Sequence, residues 1–224
     1  MSSADNKPLE MAVFCNTCSR GLADLKDNQS RISFVSKILP PFLSQADLFR
    51  KILQNIIEKA PYPKIEKPTM FVNEVILHLD PEGLFSLRMF LWRPGEYDPI
   101  HDHNSWGVIG PVSGKLEVIN YRRLDRDSTS RTRLVEKERG IIEPGGYYHV
   151  LPLYKGIHQT GNPTRRSMIQ IGIYGQRQTK RNYINTYDLA SGRISPLYSP
   201  KVVKRQLAES ALLNLKNARP TATA

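Results

Sequence analysis

The chain has 224 residues, of which 40% are hydrophobic and 24% are charged, so it can bury one sizeable core. Its two cysteines exclude a disulfide scaffold and favour a reducing, cytoplasmic location, and no apolar run approaches the roughly 18 residues of a membrane span. The net charge of +11 suggests an acidic partner, but most of the excess lies in residues 121–139 and after residue 175. We expect no membrane partner, and the lack of a nucleic-acid motif argues against nucleic acid.

The first predicted elements are helical. Residues 1–20 lack clean periodicity and predict a flexible N-terminus, without the pattern of a secretory signal peptide. Residues 21–60 predict a helical segment, in which Pro40 and Pro41 end the first helix. Ser44-x-x-Asp47 resembles a capping box and predicts the start of a second helix. Closely spaced prolines then mark the most distinct boundary of the sequence, near residue 61.

Residues 61–180 have the sequence pattern of a β domain. Short β-rich runs alternate with turn signals, and no helical pattern intervenes. The runs are 71–79, 85–92, 107–112, 115–122, 133–138, 147–151 and 167–174. This spacing predicts an antiparallel sandwich or barrel. We expect residues 121–139 to form a long solvated hairpin and residues 181–224 to form a basic tail, helical over 201–217.

Two histidines stand close together in the middle of this domain. In a strand, residues i and i+2 point to the same face, so His101 and His103 can converge on one point. The pair alone is a weak motif, and without its context a pair of surface or barrel-mouth histidines is the better interpretation. The flanking glycines add specificity, because Gly95, Gly107 and Gly114 precede and follow the pair at fixed intervals.

That spacing resembles the first motif of the cupin superfamily, with its glutamate replaced. A second stretch resembles the second cupin motif and places His158 as a third ligand. The resemblance implies a fold that is mainly β with flanking helices: a double-stranded β-helix (a cupin or jelly-roll barrel) with an N-terminal helical segment. Three imidazoles can cap one face of an octahedral metal ion, and they suit Fe(II), Zn, Ni or Cu.

The stretch from His78 to Gly110, with its His-Asp-His-x-x-Trp-Gly-Val-Ile-Gly run, is similar to the cysteine dioxygenase family. It is nearest the bacterial branch that includes 3-mercaptopropionate dioxygenase, and the similarity covers about residues 70–180. The resemblance implies a mononuclear, non-haem Fe(II) centre held by His101, His103 and His158. With O2 as co-substrate, it implies oxidation of a small thiol to its sulfinic acid.

Departures from the family pattern concern the surroundings of the metal. Relatives carry a Ser-x-His-x-Tyr relay, of which this chain keeps Tyr174 but has Gln170 and Gly172 in place of the serine and histidine. A Cys–Tyr crosslink is impossible, because no cysteine follows Cys18. Tyr174 is then either an acid beside bound O2 or a barrel-filling aromatic side chain.

Three more residues are candidates for substrate binding. Trp106 forms either a substrate wall or part of the core. Glu74 stands where relatives place an Arg or Gln, and it either faces the pocket, favouring an amine or neutral group, or points outward. Arg181, or less favourably Arg177, could bind a substrate carboxylate, although a solvated arginine is the simpler interpretation in so basic a segment.

The leading prediction is therefore an Fe(II)-dependent thiol dioxygenase acting on a small thiol or another anionic chelator. Two alternatives stay open: another three-histidine cupin oxygenase, such as one cleaving a β-diketone, and a metal-binding cupin that acts as a sensor without turnover. Assembly into a homo-oligomer also stays open. The pair Cys15-x-x-Cys18 lacks a second pair or nearby histidines, so we interpret it as incidental rather than as a zinc or redox site.

Overall fold

The computed structural model describes residues 7–125 and 130–217. In these ranges the helices are α1 (Leu9–Ala23), α2 (Asn28–Leu43), α3 (Ala46–Ile57) and α4 (Pro200–Asn217), with a 3-10 turn at Leu153–Gly156. The strands are β1 (Glu74–Leu79), β2 (Phe85–Trp92), β3 (Ile100–His101), β4 (Gly107–Ser113), β5 (Leu116–Arg123), β6 (Leu134–Ile142), β7 (Tyr148–Val150), β8 (His158–Gly161), β9 (Met168–Gly175), β10 (Tyr183–Tyr187) and β11 (Ile194–Tyr198). Within the described ranges, no helix combines the length and apolarity that a membrane crossing requires.

The strands form two antiparallel sheets that face each other. One has the order β1-β2-β9-β4-β7 and the other the order β11-β10-β3-β8-β5-β6. Phe90 and Ile109 of the first sheet pack in one cluster with Leu116 and Val118 of the second. The predicted fold class, a mainly β double-sheet barrel with N-terminal helices and a C-terminal helix, is confirmed.

The N-terminal helices cover the outer face of the five-stranded sheet. Strand alternation sends Leu87 and Met89 of β2 to this face, where they join the core formed by α1, α2 and α3. The intervening residues Arg88, Phe90 and Trp92 face the interior between the sheets. One strand therefore serves both the main hydrophobic core and the wall of the barrel interior.

The prediction of a flexible N-terminus at 1–20 is corrected for residues 9–20, which belong to α1. Met11, Cys15, Cys18 and Leu22 are buried at three- and four-residue spacing on one helix face. The cysteine pair thus lies in the core of the helical layer and not in a mobile terminus. Residues 1–6 lie outside the described part of the chain.

The details around the second helix also differ from prediction. Helix α2 continues through Pro40 and Pro41 and ends at Leu43. Ser44 does not cap α3: it is the C-cap residue of α2, and its hydroxyl donates to the Pro40 carbonyl oxygen at 3.1 Å. The hydroxyl is therefore used by the preceding helix, which explains why the apparent capping box is not formed.

The barrel extends beyond the predicted limit of residue 180. Strands β10 and β11 pair with each other, and β10 pairs with β3, so residues 183–198 belong to the six-stranded sheet. Ile184 and Tyr187 are buried there, a pattern that the basic composition of the segment obscured. Helix α4 occupies the predicted helical stretch, and residues 218–224 lie outside the described ranges. Strands β5 and β6 form the expected hairpin, of which residues 126–129 are not described.

Candidate metal centre

Three histidines meet at the barrel interior, as the sequence predicted. His101 ends β3 and pairs directly with His158 at the start of β8, while His103 follows two residues after His101. The ring centroids of His101, His103 and His158 lie 4.7, 4.8 and 4.9 Å apart, close to an equilateral triangle. Their ligand nitrogens all lie within 4.8 Å of one another. The strand pairing thus brings together residues that are 55 positions apart in sequence.

The surroundings of these rings leave ring nitrogens available to a metal ion, and burial favours the neutral form of His103 and His158. His101 donates from Nδ1 to the Pro99 carbonyl oxygen at 2.8 Å, which leaves the Nε2 lone pair of its neutral form available. The Nε2 atoms of His103 and His158 lie 3.0 Å apart. Burial, reinforced by the neighbouring imidazoles, holds the pKa of both His103 and His158 well below its usual range.

The donor set fits a divalent metal ion that accepts imidazole ligands. His158 is 2% exposed, and its Nδ1 has no hydrogen-bond partner among the described residues. Holding three desolvated imidazoles against each other is unfavourable unless their lone pairs have a common acceptor. Such an acceptor is a cation, and Fe(II), Zn, Ni and Cu all accept imidazole nitrogen.

The histidines line a small cavity of about 180 Å³. Aromatic and aliphatic side chains form much of its wall and limit access of water to the histidines. They include Phe71, Phe90, Trp92 and Ile109. The polar groups of the lining include Glu74, Arg88, Asp98, Gln170 and Tyr174. A cavity of this size accommodates a small molecule rather than a polymer.

Tyr174 lies beside the histidine cluster and lines the cavity. Its ring stacks on that of His103 with centroids 5.8 Å apart and an interplanar angle of 14°, and its edge meets Phe90. Burial, with a smaller contribution from the Glu74 carboxylate, raises the pKa of the phenol. Tyr174 is therefore protonated at neutral pH and can donate a hydrogen bond.

Two glycines make room for the Tyr174 ring. A Cβ atom on Gly172 would lie 2.5 Å from Cε2 of Tyr174, and one on Gly107 would lie 2.7 Å from its Cδ1. Gly172 occupies the position of the relay histidine in the resembled family, so the phenol leans across the space that an imidazole would fill. Gln170 does not replace the relay serine, because its Oε1 accepts a hydrogen bond from Trp92 Nε1 at 3.0 Å.

Glu74 lines the cavity and forms an ion pair with a residue that the sequence analysis missed. Its carboxylate accepts hydrogen bonds from Arg88 and from the backbone N–H groups of Met70 and Phe71. Arg88 also donates from Nε to Ser86. The sequence did contain a signal for Arg88: it is the one charged residue of β2 and lies on the same strand face as Phe90 and Trp92.

Two predicted substrate-binding residues do not reach the cavity. Trp106, the residue before β4, is 1% exposed and packs in the core beneath the helices, away from the barrel interior. Arg181 lines a different cavity, and its guanidinium group donates to the side chains of Asp102 and Asn104. The prediction of Arg181 as a carboxylate clamp is therefore corrected, since its donors already have acceptors within the protein.

Asp98 supports the cluster from the side. Its carboxylate accepts hydrogen bonds from the backbone N–H and the hydroxyl of Thr160 at 2.7 and 2.8 Å, and it lies 3.7 Å from Nδ1 of His101. Burial raises the pKa of this carboxyl group, although the nearby His101 and the Thr160 hydrogen bonds act in the opposite direction. Asp98 thus ties the segment before His101 to β8, the strand that carries His158.

The comparisons with known proteins concern overall shape. No family model matches the chain. A cupin superfamily protein from Desulfitobacterium hafniense is 12% identical, with 46% of this chain and 75% of that chain covered and a TM-score of 0.34. An RmlC-like cupin from Ralstonia eutropha is also 12% identical, with 62% and 74% covered and a TM-score of 0.35. A Cupin 2 conserved barrel domain protein from Salinispora arenicola is 16% identical, with 50% and 84% covered and a TM-score of 0.36. The chain is similar to these cupins, and similarities this distant carry no inference about activity.

Proposed function

We propose that this protein is a mononuclear Fe(II) dioxygenase that adds both atoms of O2 to the sulfur of a small thiol, giving a sulfinic acid. The observation that carries the proposal is the cluster of three imidazoles in a small, largely apolar cavity. No carboxylate joins the three histidines as a ligand in the metal-binding group found among the described residues. A +2 ion held there keeps its full charge and favours an anionic ligand such as a thiolate.

The bound iron would supply the one-electron chemistry that makes O2 reactive. His101, His103 and His158 would hold it, while the protein's other contribution is to place the thiol and exclude water. The apolar wall formed by Phe90, Trp92 and Ile109 supports this arrangement, because a dry cavity strengthens each electrostatic contact within it.

Arg88 is the group that we assign to the polar end of the substrate, in place of Arg181. Its Nη1 is bound to Glu74 and its Nε to Ser86, whereas Nη2 has no hydrogen-bond partner among the described residues. The guanidinium edge can therefore donate to an oxygen atom of the substrate. Because Glu74 offsets the charge of Arg88, this contact orients a small polar group more than it adds affinity.

Tyr174 is the group that we assign to the oxygen side of the cavity. Its phenol keeps the proton on Oη because burial raises the pKa of the group, and its ring position is fixed by stacking on His103. A hydrogen bond from Oη would stabilise negative charge that develops on oxygen during the reaction. This role does not need the relay that the chain lacks.

Oxygen consumption by the Fe(II)-loaded protein against a panel of small thiols and β-diketones tests the proposal. We expect uptake with thiols only, and a sulfinate product that carries two labelled atoms when ¹⁸O2 is used. His158→Ala should abolish uptake, whereas His149→Ala, which changes an exposed histidine outside the cluster, should leave it unchanged. Uptake with diketones only would contradict the thiol reaction and favour an oxygenase that cleaves a C–C bond. No uptake by fully loaded protein would refute any oxygenase activity.

A further inference from the structure

We propose that Asp102 and Arg181 form a clasp that positions His101 and His103, so that metal affinity depends on the C-terminal segment 178–187. This inference rests on metal binding by the three histidines, which is one part of the proposed function, and not on the thiol reaction. Neither residue belongs to the predicted metal site, and Arg181 was predicted to bind a substrate carboxylate.

The Asp102 carboxylate is the centre of the clasp. Its side chain is 2% exposed, and both of its oxygens accept hydrogen bonds from the C-terminal segment. Oδ1 accepts from Arg181 Nη2 at 3.2 Å and from the Asn185 backbone N–H at 2.9 Å. Oδ2 accepts from Arg181 Nη1 at 3.2 Å, from Asn185 Nδ2 at 3.0 Å and from the Tyr187 hydroxyl at 3.1 Å. Five donors from three residues therefore converge on one buried carboxylate.

Asn104 extends the clasp on the other side of His103. Its Nδ2 donates to the Tyr183 carbonyl oxygen at 2.7 Å, and its Oδ1 accepts from Arg181 Nη2 at 2.9 Å. The backbone contributes as well, since Asp102 N–H donates to the Asn185 carbonyl oxygen and Gln178 N–H donates to the Asn104 carbonyl oxygen. One arginine thus holds both residues that flank His103.

The alternation of side chains links this clasp to the metal ligands. His101 and His103 face the cavity, while Asp102 between them faces the C-terminal segment. Asn104 borders the cavity and also binds Arg181 of that segment. Only His101 of this run lies in a strand, and β3 is two residues long. Beyond β3, backbone hydrogen bonds hold the run at single points, from Asp102 N–H to Asn185 and from Leu153 N–H to the His103 carbonyl oxygen. The side-chain contacts of Asp102 and Asn104 add to these bonds in fixing where His103 sits relative to His101.

Partners that orient metal ligands typically contribute about 10- to 100-fold to metal affinity. We expect Arg181→Ala and Asp102→Asn to weaken Co(II) binding to the metal-free full-length chain by about this factor, and Arg181→Lys, which keeps the charge but not the paired donors, by less. The absorption spectrum of bound Co(II) should also change in Arg181→Ala, because the imidazoles no longer hold the same geometry. Circular dichroism verifies that each variant is folded.

Ser191→Ala is the matched control. Ser191 lies in the turn between β10 and β11, outside segment 178–187, and its hydroxyl donates to Asp188 Oδ1 at 2.6 Å. If the clasp only stabilises the fold, Arg181→Ala lowers the melting temperature and leaves the Co(II) dissociation constant unchanged, which overturns the proposal. Absence of Co(II) binding by the wild-type chain overturns both this inference and the metal site itself. Weak binding in Arg181→Ala beside normal binding in Ser191→Ala supports the clasp.

Discussion

At the scale of single residues, the position of the Tyr174 phenol depends on a missing side chain. Gly172 is the i−2 neighbour of Tyr174 on β9, and the phenol passes over its Cα. In Gly172→Ala, the added methyl group would overlap the ring, which must then leave its stacked position on His103. We expect the rate of oxygen uptake to fall about 10- to 100-fold, as for Tyr174→Phe, because small displacements at a reacting centre are costly.

The iron content of Gly172→Ala should stay that of the wild type, because the three histidine ligands are unchanged. Gly140→Ala is the control, because a methyl group there meets nothing within 4 Å. An unchanged rate in Gly172→Ala would show that the phenol position does not matter to the reaction. Elemental analysis and an oxygen electrode provide the two measurements.

The sequence predicted the histidines of the site but not the contacts that other side chains make across strands. His101 and His103 followed from strand alternation and motif spacing, which are local signals, and His158 followed from the resemblance to the second cupin motif. Arg88 was missed because its importance comes from a contact with Glu74 on the adjacent strand. The sequence of one strand does not by itself predict which residues of another strand it will face. Arg181 was misassigned for the same reason, as its partner Asp102 lies 79 residues away.

At the scale of elements, α1 shows how a chemical motif can hide a structural pattern. The spacing of Cys15 and Cys18 is that of a metal or redox pair, yet both residues belong to a buried helix face with Met11 and Leu22. The C-terminal strands were missed for a related reason: the segment after residue 175 was interpreted from its basic net charge, whereas β10 contains only two buried positions. Periodicity over short elements is easily outweighed by composition.

The burial of α1 predicts that its thiols are unreactive in the native protein. Burial raises the pKa of Cys15 to about 12 and raises that of Cys18 as well, so almost no thiolate is present at pH 8. We expect an aromatic disulfide reagent to label neither cysteine in the folded chain and to label both in denaturant. Rapid labelling of the native protein would contradict the packing of α1 against α2.

At the scale of the whole molecule, the buried histidines predict how stability depends on pH. The folded state holds the pKa of His103 and His158 below the value of about 6.5 that applies to the unfolded chain. The unfolded state therefore binds more protons as the pH falls below 6.5, and the metal-free protein loses stability. The loss is at most about 1.4 kcal/mol per pH unit for each histidine.

Urea unfolding of the metal-free protein between pH 7.5 and 5 measures this dependence. His158→Ala should flatten the pH profile, because it removes one of the two groups. A wild-type profile that is flat below pH 6.5 would mean that the two imidazoles are not held neutral in the folded chain.

Metal stoichiometry shows whether His101, His103 and His158 together hold one metal ion. Chains purified after loading with Fe(II) under anaerobic conditions should contain one iron per chain by elemental analysis. His101→Ala, His103→Ala and His158→Ala should each retain almost none, while His149→Ala retains the full amount. Iron content that is unaffected by any of the three substitutions would contradict a metal site held by these three histidines.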